Sequence, residues 1–186
     1  SGHETHIPML TWPVQDENYT RGALTVSLLA NHKDDIEVFN VGLSGGYIAG
    51  MQADYAARVA PLYAARRPFN FVGAYEFTNT LTGVANLAAT EAAYWTYCDT
   101  CRADGFQVVA VTPTAWHAAS NPATVEAGYQ ALWPLMRTDY VTHADALADP
   151  AALAVFDDDD DTADTNYYNA DRLHLVAAGS TLVADL

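Results

Sequence analysis

Gly105-Phe106-Gln107-Val108-Val109-Ala110-Val111-Thr112-Pro113 is the stretch on which the fold turns. A glycine suited to ending a helix leads into a nearly unbroken apolar run, and a proline that cannot extend a ladder closes it. The run therefore reads as a strand buried on both faces, the kind that parallel sheets require. Upstream, residues 84–104 have helical spacing, Phe69 to Tyr75 after Pro68 reads as a strand, and 48–65 is Ala-rich and helical. Ile36 to Val41 reads as another strand and 20–31 as a helix. Downstream, a helix over 122–140 follows Asn121-Pro122, a short strand falls around 143–148, and an Asp-rich loop, 157–164, leads to a final helix.

Strands alternating with helices of this length predict an α/β fold, a three-layer α/β/α sandwich around a central parallel sheet. At 186 residues, with no internal repeat and no linker, the chain is expected to form one domain over 1–186. A composition of 51% hydrophobic and 11% aromatic residues supplies a packed core. No run of about eighteen uncharged apolar residues occurs, so no membrane span is expected. The formal charge of −15 sets 8 basic residues against 23 acidic ones, and Lys33 is the only lysine. Such a surface repels phosphate backbones and anionic headgroups, which argues against nucleic acid as a partner and tolerates a neutral substrate.

In sheets of this kind, ligands sit at loops beyond the carboxyl ends of the strands. Three such loops carry residues suited to acyl transfer. Asn40-Val41-Gly42-Leu43-Ser44-Gly45 follows the first visible strand and can turn a glycine N–H toward a ligand. Glu76-Phe77-Thr78-Asn79-Thr80 offers the Asn79 amide. Asp171-Arg172-Leu173-His174 sets a carboxylate and an imidazole three residues apart, a general base with the acid that would orient it.

Taken together, these blocks resemble the SGNH hydrolases, also called GDSL-like esterases and lipases, in order and over nearly the whole chain. The resemblance implies the flavodoxin-like fold of that family and no metal or organic cofactor. It places Gly45 and Asn79 in an oxyanion hole, and Asp171 and His174 in a catalytic triad. Two departures stand out. Phe77 and Thr80 occupy positions where the family has glycine and aspartate, and no Gly-Asp-Ser occurs anywhere. Counting back from Ser44-Gly45 brings the family's nucleophile to Ser1, whose N–H would join the oxyanion hole. The family's first strand is then expected to lie ahead of Ser1, missing from the sequence. Two other readings of Ser1-Gly2-His3 stay open, a tag remnant and a relative that has lost its nucleophile.

The implied function is a serine esterase that hydrolyses short, acetyl-type esters, carbohydrate esters among them, through an acyl-serine intermediate. The alternative is a binding or structural module of the same fold, a surface or virion component recognising glycans. A third reading, a peptide- or thioester-directed acyl hydrolase, uses the same chemistry. A secreted, surface or virion setting suits all of these. Trp116 and His117 follow the strand ending at Thr112 and are candidates to line a substrate cleft, or to pack on a neighbouring helix. The run Asp157 to Asp161 with Asp164 invites a calcium reading but lacks the glycine and closing glutamate of an EF-hand, so a solvated loop is expected and no metal site is assigned. Cys98 and Cys101 make one Cys-x-x-Cys with no second pair, read as ordinary helix cysteines, with a local disulfide as the alternative.

Overall fold

The computed structural model describes residues 5–9, 36–41, 45–63, 70–117 and 122–186, with the backbone alone described over 5–9 and 36–40. In chain order the elements are β1 (Thr5–Met9), β2 (Ile36–Asn40), α1 (Ile48–Arg58), β3 (Phe71–Ala74), α2 (Leu87–Ala103), β4 (Gln107–Val111), α3 (Pro122–His143), β5 (Ala146–Ala148) and α4 (Ala177–Ala184). Among the described residues the sheet has five strands in the order β2-β1-β3-β4-β5, all pairs parallel. That is the flavodoxin-like order expected of the three-layer architecture. The helix expected over 20–31 lies outside the described residues.

One expectation is overturned. The first strand is not missing: Thr5–Met9 lies between β2 and β3, in register with β2 from Thr5 opposite Ile36 to Met9 opposite Asn40. Thr-His-Ile-Pro-Met carries no alternation, and its proline argues against a central strand on local grounds. Its place comes from its partners rather than from its own propensity.

Elsewhere the local logic holds. Gly105, at φ +96, ends α2 in a Schellman motif, its N–H reaching Arg102 O at 2.9 Å and that of Phe106 reaching Cys101 O at 3.1 Å. The turn feeds β4, where Val108 and Ala110 are fully buried. Helix α2 packs against both α1 and α3. From α2 the buried Tyr94 hydroxyl donates to Ala74 O at 2.7 Å and accepts the Val111 N–H at 3.2 Å, so one side chain ties the ends of β3 and β4. Cys98 and Cys101 are free and buried on the same helix, which removes the disulfide alternative. Among the described residues no helix is long and apolar enough to cross a membrane.

Candidate active site

The loop after β3 is held by a buried carboxylate. Glu76 accepts the Asn79 N–H at 2.8 Å through Oε1 and the Thr80 hydroxyl at 2.7 Å through Oε2. Thr80 Oγ1 in turn accepts the Ile48 N–H at 3.2 Å, fastening the loop to the start of α1. Burial raises the Glu76 carboxyl, and the bonds from Thr80 and Asn79 work the other way. Phe77, where the family has glycine, is fully buried against Tyr94, with ring centroids 4.6 Å apart. It anchors the loop in the core.

The Asn79 amide donates to Gly46 O at 3.1 Å, so the loops after β2 and β3 meet as the sequence pattern anticipates. Gly45 has φ +66, a backbone state that favours glycine, and a Cβ there would meet nothing within 4 Å. The Asn79 side chain is exposed beside it.

The second half of the site is a turn between Tyr168 and Leu175, closed by an antiparallel bridge. Within it Asn169 N–H donates to His174 O at 2.7 Å and Arg172 N–H to Asn169 O at 2.9 Å. Asp171 Oδ1 accepts the N–H groups of Leu173 and His174, each at 3.0 Å. Its Oδ2 lies 2.6 Å from His174 Nδ1. An ionised carboxylate only accepts, so this contact fixes the proton on Nδ1 and makes Nε2 the basic nitrogen. Burial alone would raise the Asp171 carboxyl. The bonds from the His174 ring, then from the His174 and Leu173 backbone, outweigh it and hold the group below its ordinary value.

Two hydrogen bonds zip this segment to the loop after β4, Tyr168 hydroxyl to Ala115 O at 2.8 Å and His117 N–H to Arg172 O at 3.0 Å, and the same loop is tied to Phe156 O by the Ala115 N–H at 2.9 Å. The same loop reaches the Asn79 side. Thr114 N–H reaches the Tyr75 hydroxyl at 3.4 Å, and Trp116 Nε1 donates to the Tyr129 hydroxyl at 2.8 Å. A path therefore runs from Tyr129 through Trp116 and its neighbour His117 to Arg172, beside His174. The polar groups of Trp116 and His117 make these internal links: Nδ1 of His117 sits 2.8 Å from Asp159.

Ser1 and Ser44 lie outside the described residues. Apart from Asp159, carboxylates of the Asp-rich loop are spent locally. Asp158 accepts the Asp160 N–H, Asp161 that of Asp158, and Asp164 that of Asn166. Among the described residues no group of three or more His, Cys, Asp or Glu could hold a metal ion. Sequence reasoning missed Glu76, Tyr129, Arg172 and the particular part played by Asp159. For Glu76 a signal existed, since it stands three and four residues ahead of Asn79 and Thr80, the reach of a turn.

No protein-family model matches the chain, and no curated protein matches it. Solved structures do. An acetylxylan esterase from Geobacillus stearothermophilus is 14% identical at a TM-score of 0.60, covering 99% of this chain and 92% of its own. A second acetyl xylan esterase is 14% identical at 0.63, covering 97% and 96%. A GDSL-like lipase from Bacteroides thetaiotaomicron is 14% identical at 0.67, covering 98% and 85%. The chain has the fold of the SGNH, or GDSL-like, hydrolases.

Proposed function

We propose that the chain is an esterase that removes short, acetyl-type acyl groups from alcohols, with acetylated carbohydrate as its substrate class. The observation that carries the reading is the 2.6 Å contact between His174 and Asp171, and the contact of the Asn79 amide with Gly46 O, beside Gly45, supports it. Solved structures that share the fold over nearly the whole chain are acetylxylan esterases, which supports an acetyl ester as substrate.

In this reading His174 Nε2 takes the proton from an attacking hydroxyl while Asp171 steadies the imidazolium. The oxyanion that forms on the carbonyl is met by the Gly45 N–H and by an N–H of the Asn79 amide. A primary amide has two such protons, and one is engaged by Gly46 O. Collapse of the oxyanion breaks the bond to the substrate alcohol, which leaves with the proton held by His174, and the acyl-enzyme ester is then cleaved by a water that His174 deprotonates, releasing the acid and returning the proton to the protein's hydroxyl.

The position of β1 bears on the hydroxyl. Ser1 precedes the strand by four residues, and about 13 Å of strand separates that amino end from the carboxyl end. Thr11 follows Met9, the last residue of the strand, by two positions in the sequence. It is the first hydroxyl after the strand. The proposal therefore assigns the attack to Thr11 in place of Ser1. Labelling with a fluorophosphonate, with the modified residue located by fragment-ion mass spectrometry, tests this. Modification of Thr11 is expected. Modification of Ser1 or Ser44 would overturn the assignment while leaving the esterase reading intact, and no modification of any hydroxyl would contradict both.

A further inference from the structure

We infer that Asp159, in the Asp-rich loop, is a positioning residue for the Asp171/His174 pair, acting through Arg172 and His117. The inference rests on the esterase reading for its meaning, though not for its geometry.

Arg172 stands between the two members of the pair, and its φ of +57 is the only positive value at a non-glycine among the described residues. A residue with a Cβ is disfavoured there, so something must hold it. The conformation matters because it closes the turn in which Asp171 reaches the backbone and ring of His174. If the chain relaxes at Arg172, the carboxylate and the imidazole separate.

Asp159 holds Arg172 by three routes. Its main-chain carbonyl accepts Nη2 of Arg172 at 2.9 Å. Its carboxylate lies 3.9 Å from the same nitrogen. That carboxylate also grips His117 Nδ1 through both oxygens, at 2.8 and 2.9 Å, and the His117 N–H in turn donates to Arg172 O. Thr162 closes the arrangement: its hydroxyl donates to Asp159 O and accepts Nε of Arg172 at 2.9 Å. Both ends of Arg172, guanidinium and carbonyl, are thus fixed to one acidic residue 13 positions upstream. A run of five aspartates invites a reading as solvated charge. Here one of them is half-buried and faces inward.

The test is Asp159→Ala, read first by NMR and then by kinetics. In the wild type the proton on His174 Nδ1, held by a carboxylate at 2.6 Å, is expected to give a low-field resonance that Asp171→Asn removes. In Asp159→Ala that resonance should broaden or move upfield. With an aryl acetate, kcat should fall about 10- to 100-fold with KM nearly unchanged, the effect of misplacing a catalytic group by an ångström or less. A second pair guards against general unfolding. Arg172→Gly should keep more of the resonance than Arg172→Ala, because glycine adopts φ +57 without penalty. A wild-type resonance and kcat in Asp159→Ala, or equal loss in the two Arg172 variants, would overturn the inference. If the wild type cleaves no ester, the esterase reading falls, and the resonance still decides the role of Asp159.

Discussion

The main-chain N–H of Asn79 donates to Oε1 of Glu76 at 2.8 Å, so the candidate oxyanion donor takes its place from a carboxylate three residues before it. The other oxygen of Glu76 accepts from Thr80, whose Oγ1 already accepts the Ile48 N–H, so a donor in its place would require that hydroxyl to turn and accept twice. Glu76→Gln replaces one acceptor with an NH₂ group facing a hydroxyl or an N–H. It should cost about 1–3 kcal/mol of stability, the penalty for an unmade buried hydrogen bond. Chemical denaturation measures the loss, and kcat on an aryl acetate should fall about tenfold or more as Asn79 shifts. Wild-type values of both would show that Thr80 and the Gly46 contact suffice.

Two glycines in helices should respond in opposite senses to alanine. A Cβ at Gly179 would stand 2.5 Å from Tyr167 O and 3.3 Å from Leu175, against the base of the turn that carries His174. Gly179→Ala should therefore destabilise by about 1–3 kcal/mol. Gly50, within α1, has nothing within 4 Å of its Cβ position, and Gly50→Ala should stabilise by up to about 1 kcal/mol through helix propensity. Thermal unfolding of the two variants reads the contrast, and a stabilised Gly179→Ala would contradict the packing described.

The thiols of Cys98 and Cys101 should be silent in the native protein. Burial pushes both up, Cys101 to about 12, so little thiolate exists near neutral pH. Ellman's reagent should react with both only after denaturation, and without prior reduction, because neither is in a disulfide. Rapid native reaction would refute this.

Acid should loosen the Asp171 turn in a predictable direction. Its folded-state value lies below the ordinary carboxylate value, so its contribution to stability is present above about pH 4 and is lost as pH falls through the folded value. The effect is small, since the side chain is half-exposed and solvent screens it. The melting temperature of Asp171→Asn should depend less steeply on pH between about 5 and 2 than that of the wild type. Parallel curves would contradict the assignment.

The strands that could be read from sequence are those whose own composition is decisive. Val108-Val109-Ala110-Val111 is apolar throughout and ends at a proline, and β4 forms there. β1 could not be read that way, because Thr5-His6-Ile7-Pro8-Met9 becomes a strand only through pairing with β2 and β3. Asp171 and His174 were legible because three residues of spacing suffice to describe a contact made within one turn. The grip of Asp159 on His117 spans 42 positions and joins two loops, so no local pattern announces it. Glu76 is local to both of its partners, Asn79 and Thr80, whereas the family pattern has its acid at the Thr80 position.

The central claim is that His174, oriented by Asp171, is the base of an ester hydrolase. The direct measurement is kcat/KM for an aryl acetate with purified wild type and His174→Ala. The account predicts turnover by the wild type and a fall of about three to four orders of magnitude in a variant that still folds. A folded His174→Ala that cleaves the ester at the wild-type rate would contradict it.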